Sequence, residues 1–173
     1  MTQHVYLSMG SNIGDPIHYL QAALAALDAL EGCQLLAVSS LFQTPAWGKT
    51  DQPDFVNLAC QVATQLNPLD FLDACQKIET DLGRVRLEKW GERTLDIDIV
   101  LWGEETLDFP RLQVPHPYMQ ERAFVLLPLV QLIPHFIHPQ LGKNISQLLE
   151  TVQADCLAIT QLPQQPHPTK EIL

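Results

Sequence analysis

The 173-residue sequence predicts an α+β fold: a ferredoxin-like β-α-β-β-α-β antiparallel sheet with helices packed on it, plus C-terminal additions. Three observations carry this. Two segments combine an Asx N-cap, a proline at the first helical position and apolar residues at helical spacing, Asp15-Pro16 with Ile17, Leu20, Leu24, Leu27 and Leu30, and Asn67-Pro68 with Leu69, Leu72, Cys75, Ile78 and Leu82. Four strand-like runs surround these helices. Glycines close both helices, Gly32 and Gly83.

In chain order, Val5 to Met9 reads as a buried strand stopped by Gly10-Ser11-Asn12-Ile13-Gly14, a tight strand-to-helix turn. That turn lacks the Lys-Ser/Thr of a Walker sequence and is not the dinucleotide fingerprint. After the first helix, Leu35 to Phe42 is a strand, leading into a loop through Thr44-Pro45-Ala46-Trp47-Gly48 and on to Asp54. Phe55 to Leu66 alternates, with Val56, Leu58, Cys60 and Val62 toward the core and Phe55 and Asn57 on the other face. The second helix follows, then a basic loop, then a strand from Leu95 to Leu101. Arg111 to Pro117 is a proline-rich connection, Met119 to Leu132 is helical around Pro128, and Ile145 to Val152 forms a short helix. One domain is expected over 1–153. Residues 154–173, where periodicity fades and Gln and Pro alternate, are expected to form a loosely ordered tail.

Composition narrows the function classes. Hydrophobic residues make up 46% and charged residues 17%, the profile of a soluble globular domain. No run approaches the roughly 20 apolar residues of a membrane span, and no secretory signal is visible. A net charge of −10 argues against a nucleic-acid surface. The four cysteines form no Cys-x-x-Cys pair, which disfavours structural zinc and points to reduced thiols in a cytoplasmic protein, with Cys60 and Cys75 in the core.

Residues 84–102 carry the chemistry. Arg84, Arg86, Lys89 and Arg93 place four of the ten Lys and Arg residues within ten positions, with Trp90-Gly91 among them. Asp96 and Asp98 then alternate with Leu95, Ile97, Ile99 and Leu101, so both carboxylates share one strand face, their stems roughly 7 Å apart. Paired oxygen ligands beside cations suit magnesium completed by a substrate polyphosphate. An isolated Asp-x-Asp or Arg-rich run is more often a solvated surface, and it is the juxtaposition that points to a site. Glu79 could face solvent or reach a ligand at the sheet edge, and His116, held between Pro115 and Pro117, could pack or bind phosphate. Arg111 and Arg122 bracket that segment. Phe55 and Asn57 suit a planar heterocycle, although a polar sheet face explains them equally.

Together these motifs resemble the 6-hydroxymethyl-7,8-dihydropterin pyrophosphokinase family, which transfers a diphosphate from ATP to a pterin alcohol in folate synthesis. The resemblance rests on Gly10 to Gly14, Ser39 to Pro45, Asp51 to Asn57, Ile78-Glu79, Gly83 to Arg86, Trp90 to Asp98, Val114 to Pro117 and Glu121 to Phe124, spanning residues 4–135. It implies Asp96 and Asp98 as ligands of two Mg2+ ions and ATP as co-substrate. It gives catalytic work to Arg84, Arg86, Arg93 and Trp90, the loops at 44–54 and 84–93 closing over the nucleotide. It puts Glu79, Arg84, Arg93, Arg111, His116 and Arg122 around ATP, and lines the pterin pocket with Thr44, Pro45, Phe55, Asn57, Asp96 and Phe124. Two departures stand out: Leu-Glu-Lys between Arg86 and Trp90 is one residue shorter than in some members, leaving Lys89 in place of a loop arginine, and Phe55 stands where many members have Tyr. Pro117 and Tyr118 vary among members and stay outside the implied site. A monomer is expected, acting on ATP and the pterin, with no nucleic acid or membrane partner. Two rival classes share the anion site: a nucleotide-sensing module, which has no need of the acidic pair, and a nucleotidyl transferase, which would release pyrophosphate.

Overall fold

The computed structural model describes residues 1–46, 52–83 and 95–166. Its elements are β1 (Gln3–Ser11), α1 (Pro16–Ala29), β2 (Cys33–Val38), β3 (Phe42–Thr44), β4 (Phe55–Thr64), α2 (Pro68–Asp81), β5 (Asp96–Trp102), β6 (Leu107–Phe109), β7 (Leu112–Val114), α3 (Ala123–Leu132), α4 (Ile145–Glu150), α5 (Gln153–Cys156) and β8 (Thr160–Gln161). The main sheet runs β5-β1-β4-β3-β8, with β2 also paired to β4, and every pairing is antiparallel.

Both predicted helix starts are present. Asp15 accepts a hydrogen bond from the His18 amide at 3.2 Å, Asn67 from the Asp70 amide at 2.9 Å, and a proline opens each helix. Gly32 and Gly83 take positive φ just beyond the two helices. The helices lay Leu20, Leu24, Leu27, Phe71, Cys75 and Ile78 on one sheet face, against Val5, Leu7, Met9, Leu58, Ile97 and Ile99. Trp102 and Phe71 meet edge to face there, 5.6 Å between ring centroids. The other face carries a second core, in which Tyr6, Ala59, Val100 and Leu101 pack under α3 and α4. This second core covers only one end of the face. Beyond it lie Ser8 and Gly10 of β1, the positions that follow Tyr6 at period two.

Four sequence expectations change. The strand expected at 35–42 is two strands, broken after Val38 where Ser39 and Ala59 exchange bonds: the Ser39 amide donates to the Ala59 carbonyl and the Ser39 hydroxyl accepts from the Ala59 amide, both at 2.8 Å. Leu101 sits in the second core and not beside Ile97 and Ile99, because a bulge between Tyr6 and Leu7 pairings inserts Val100 and reverses the alternation. The helix expected from Met119 starts at Ala123, since Arg122 is extended at φ −116° and ψ 101° after a single 3-10 turn at Met119–Glu121. The loose tail expected from Ala154 does not hold as far as Leu162: α5 forms, and β8 then adds to the sheet beside β3.

Candidate active site

The register of the sheet assembles the site. Asp96 pairs with Gly10, Gly10 with Asn57, and Asn57 with Phe42, so these four residues form one row across β5, β1, β4 and β3. Asp98 pairs with Ser8 one step along. Residues in a row share a face, which is the face that α3 and α4 leave open. A cavity of about 540 Å³ lies there, lined by Ser8, Met9, Gly10, Thr44, Pro45, Phe55, Asn57, Asp96, Asp98, His116, Tyr118, Glu121, Arg122 and Phe124.

This cavity combines aromatic walls with two buried polar atoms that the described residues leave without a partner. Thr44 and Phe55 are cross-strand partners, and Phe124 at the start of α3 lines the same space. The Oδ1 atom of Asn57 and the Oγ1 atom of Thr44 are buried and have no hydrogen-bond partner among the described residues. Buried polar atoms of this kind are costly unless something bonds them. Ring-stacking surface beside unmet amide and hydroxyl atoms is the wall a flat, hydrogen-bonding heterocycle fits. Gly10 is needed for this geometry, because a Cβ there would lie 2.6 Å from Nδ2 of Asn57. On the turn that follows β1, the buried Asn12 donates through Nδ2 to Gln52 Oε1 at 2.8 Å and to the Pro53 carbonyl at 3.0 Å, tying the glycine turn to the segment that leads into Phe55.

A second cavity of about 680 Å³ lies on the other side of the carboxylate pair, and Asp96, Asp98 and His116 border both. Leu72, Gln76 and Glu79 of α2 form one wall and Arg111, Leu112 and Gln113 another. Glu79 is buried at 6% exposure, and its Oε2 accepts a 2.8 Å hydrogen bond from the Ile97 amide. Strand β5 is the sheet edge, so that amide points away from β1, and the carboxylate meets it. The bond fixes the backbone between the two aspartates. Arg111 is exposed and donates through Nη2 to Asp73 and, at 3.2 Å, to Gln76 Oε1.

His116 stands where the cavities meet. The Val114–Pro115 peptide before it is cis. Its backbone amide donates to the Val100 carbonyl at 3.0 Å, and its Nδ1 accepts from the Tyr118 amide at 3.2 Å. That acceptor role leaves the proton of the neutral ring on Nε2. Burial, and secondarily the nearby Arg122 guanidinium, push the imidazole down to about 4, so it is a neutral donor near pH 7. The Arg122 guanidinium carbon lies 5.5 Å from the Tyr118 ring centroid and 5.7 Å from that of Phe124, a cation between aromatic faces.

All six residues implied for the pterin side, Thr44, Pro45, Phe55, Asn57, Asp96 and Phe124, line the first cavity. Of those implied for ATP, Glu79, Arg111 and His116 line the second, whereas Arg122 lines the first and is absent from the second. Arg84, Arg86, Trp90 and Arg93, together with Lys89, lie outside the described residues, as do the whole loop expected at 84–93 and residues 47–51 of the loop expected at 44–54. Ser8, Met9, Gly10 and Glu121 are not among the site residues expected from the sequence, although Ser8 and Gly10 follow Tyr6 at strand period and could have been found from it. Pro117 and Tyr118, set aside at the sequence level, border the second and first cavities respectively.

Asp96 is half-buried and Asp98 exposed, both opening to the two cavities. Among the described residues no cluster of three or more His, Cys, Asp or Glu side chains is arranged to hold a metal. A carboxylate pair with open space beside it is nonetheless the donor set that magnesium takes when substrate phosphates complete its shell. No helix among the described residues is long and apolar enough to cross a membrane.

Comparison with known proteins gives the family and the fold. The family model of 7,8-dihydro-6-hydroxymethylpterin-pyrophosphokinase matches residues 6–134. A 2-amino-4-hydroxy-6-hydroxymethyldihydropteridine pyrophosphokinase of Pseudomonas aeruginosa is 50% identical over 149 residues, covering 86% of this chain and 91% of the relative. The Haemophilus influenzae protein of the same name is 43% identical over 145 residues, covering 84% and 90%. In fold, the chain is similar to the Plasmodium falciparum HPPK-DHPS wild-type structure with pterin and p-hydroxybenzoate, with a TM-score of 0.73 at 17% identity, covering 93% of this chain and 45% of that one.

Proposed function

The chain belongs to the 7,8-dihydro-6-hydroxymethylpterin-pyrophosphokinase family, and from that premise we infer how its two cavities divide the work. The protein is an ATP-dependent diphosphokinase that transfers diphosphate to the hydroxymethyl group of 6-hydroxymethyl-7,8-dihydropterin in folate biosynthesis. In our reading the first cavity takes the pterin and the second the nucleotide, and the shared border at Asp96 and Asp98 is where the reacting atoms meet. The observation that carries this division is the pair of buried atoms without a partner among the described residues, Asn57 Oδ1 and Thr44 Oγ1, beside Phe55 and Phe124 in one cavity and not the other.

In the reaction the hydroxymethyl oxygen attacks the β-phosphorus, the bond from that phosphorus to the α,β-bridging oxygen breaks, AMP leaves and the hydroxyl proton is released. Phosphoryl chemistry asks mainly for alignment and charge neutralisation. Asn57 and Thr44 orient the heterocycle and the rings of Phe55 and Phe124 sandwich it, which directs the substituent toward Asp96. Asp96 and Asp98 would hold magnesium, two ions in our proposal, and when bound it neutralises phosphate charge and acidifies the hydroxyl. Glu79 keeps the backbone between them in place through the Ile97 amide. His116 donates through neutral Nε2 toward a phosphate oxygen, a bond that needs no proton uptake at pH 7. Arg84, Arg86, Arg93 and Trp90 complete the nucleotide side in this proposal, and Arg122, by its position, serves the border between the two ligands.

We further propose that the order β5-β1-β4-β3 is the ferredoxin-like arrangement with β6, β7, α3, α4, α5 and β8 as additions. Residues 1–153, together with the α5 and β8 additions that extend past them, are proposed as one catalytic domain that acts as a cytoplasmic monomer. The deciding experiment is product analysis. AMP formed only when the hydroxymethyl pterin is present supports the activity; pyrophosphate release would indicate a nucleotidyl transferase, and binding without turnover a sensor.

A further inference from the structure

The proposed chemistry leaves the segment after α5 without a task, yet it is joined to the wall of the first cavity. In β8, Gln161 pairs with Phe42 and Thr160 with Gln43. The Leu162 amide donates to the Leu41 carbonyl at 2.8 Å, and Gln161 Nε2 to the Ser40 hydroxyl at 3.2 Å. The Leu162 side chain packs against the main core. Strand β3 is only three residues long and ends in Thr44, whose unpartnered hydroxyl faces the heterocycle cavity, and Pro45 comes next. On its inner side β3 has β4, which carries Phe55 and Asn57. On its outer side it has β8. A short strand held along one edge alone is weakly fixed.

We propose that the C-terminal strand is a clasp for the pterin pocket: by pairing with β3 it holds Thr44 and Pro45 in place opposite Phe124 and Asp96, and so sets the affinity for the heterocyclic alcohol. Residues 160–162 are positioning residues that touch no substrate. The proposal rests on the assignment of the first cavity to the pterin. A merely protective role, in which β8 blunts an exposed strand edge, would leave pterin affinity untouched.

The test uses the full chain with Leu162→Pro, which deletes the donor to Leu41, and the same variant carrying Gln43→Cys and Thr160→Cys, two directly paired positions at which a disulfide can replace the lost bond. Steady-state AMP formation is measured with each substrate varied, alongside hydrogen exchange over residues 41–44. The expected result is faster exchange in that segment, a KM for the pterin raised about tenfold, the loss associated with one ordered hydrogen-bonded contact, and a KM for ATP and a kcat within about twofold of the parent. Oxidation of the cysteine pair is expected to bring the pterin KM back down. An unchanged pterin KM, an equal rise in both KM values, or no recovery on oxidation overturns the clasp. Absence of pterin-dependent AMP formation by the parent chain overturns the cavity assignment, and that result is read before any variant is compared.

Discussion

The two cavities that share Asp96 and Asp98 are built by different means. The first is walled largely by strands in register, β1, β3, β4 and β5, and two of its buried atoms, Asn57 Oδ1 and Thr44 Oγ1, are held in the sheet with no hydrogen-bond partner among the described residues. The second is walled by helix α2 and by the connection through Arg111, and its polar groups already have partners: Glu79 on the Ile97 amide, Arg111 on Asp73 and Gln76. A rigid wall with unmet acceptors discriminates by hydrogen bonding, since a ligand lacking the right edge leaves those atoms stranded. Paired side chains on a helix can instead exchange one partner for another as a charged ligand arrives. The difference suits a heterocycle on one side and a polyphosphate on the other.

The largest effect is expected at the border. Asp98→Ala and Asp96→Ala remove a donor from the only residues on β5 that face both cavities, and each is expected to lower kcat by roughly 10²–10³-fold or more, the scale of losing one electrostatic contact made in the transition state. Asp98 is exposed, so the thermal melting temperature of Asp98→Ala should stay near that of the parent. Turnover within tenfold of the parent would remove the metal role from Asp98 and with it the view that the cavities meet at one reaction centre.

A smaller and more selective effect separates the two cavities. Asn57→Ala is expected to raise the pterin KM by about 10- to 100-fold, equivalent to about 1–3 kcal/mol for a buried hydrogen bond, with the ATP KM changed by less than threefold. Gly10→Ala tests the same wall from behind. Its Cβ would sit 2.6 Å from Asn57 Nδ2, so the amide must move, and a several-fold rise in the pterin KM alone is expected. If either variant raises both KM values in proportion, the walls are not independent and the division between sheet-built and helix-built cavities fails.

Much of this comparison is legible in the sequence, and the reasons are physical. Period-two alternation places Asp96 and Asp98 on one face and Phe55 and Asn57 on another strand's face, and cap-plus-proline signals give α1 and α2 within a residue or two. Strand pairing is not local, so nothing in the sequence near Asn57 announces that Gly10 lies beside it with no room for a side chain. The bulge that turns Leu101 to the second core comes from a pairing shift opposite Tyr6 and Leu7, and leaves no mark in the alternating run itself. Strand β8 is two residues long and has no period to read; only its partner β3 gives it a structure. Arg122 shows the limit of reading by neighbourhood. Its place near His116 suggests the same surroundings as the histidine, and its extended backbone sets it between Tyr118 and Phe124, in the first cavity and not the second.

The smallest expected effect concerns His116, the side chain that belongs to both regions. Its ring is pushed down to about 4 by burial first and by Arg122 second. In the unliganded protein, NMR titration of the ring nitrogens should show the neutral Nε2–H form from pH 8 to about pH 5, with a midpoint near 4 and not near the ordinary 6.5. The sign for stability follows from proton binding. The unfolded chain takes up the proton near pH 6.5 and the folded chain only near 4, so this group leaves stability unchanged above 6.5 and erodes it as the pH falls from 6.5 to 4. Arg122→Ala removes the lesser cause and should move the midpoint upward while leaving it below 6.5, because burial remains. A midpoint at 6.5 in the parent chain would mean that the ring is solvated, and His116 would then belong to the open second cavity alone. A depressed midpoint that rises in Arg122→Ala ties the ring to both: the guanidinium in the first cavity then governs the charge of a donor that also borders the second, a direct electrostatic link between cavities that are otherwise built separately.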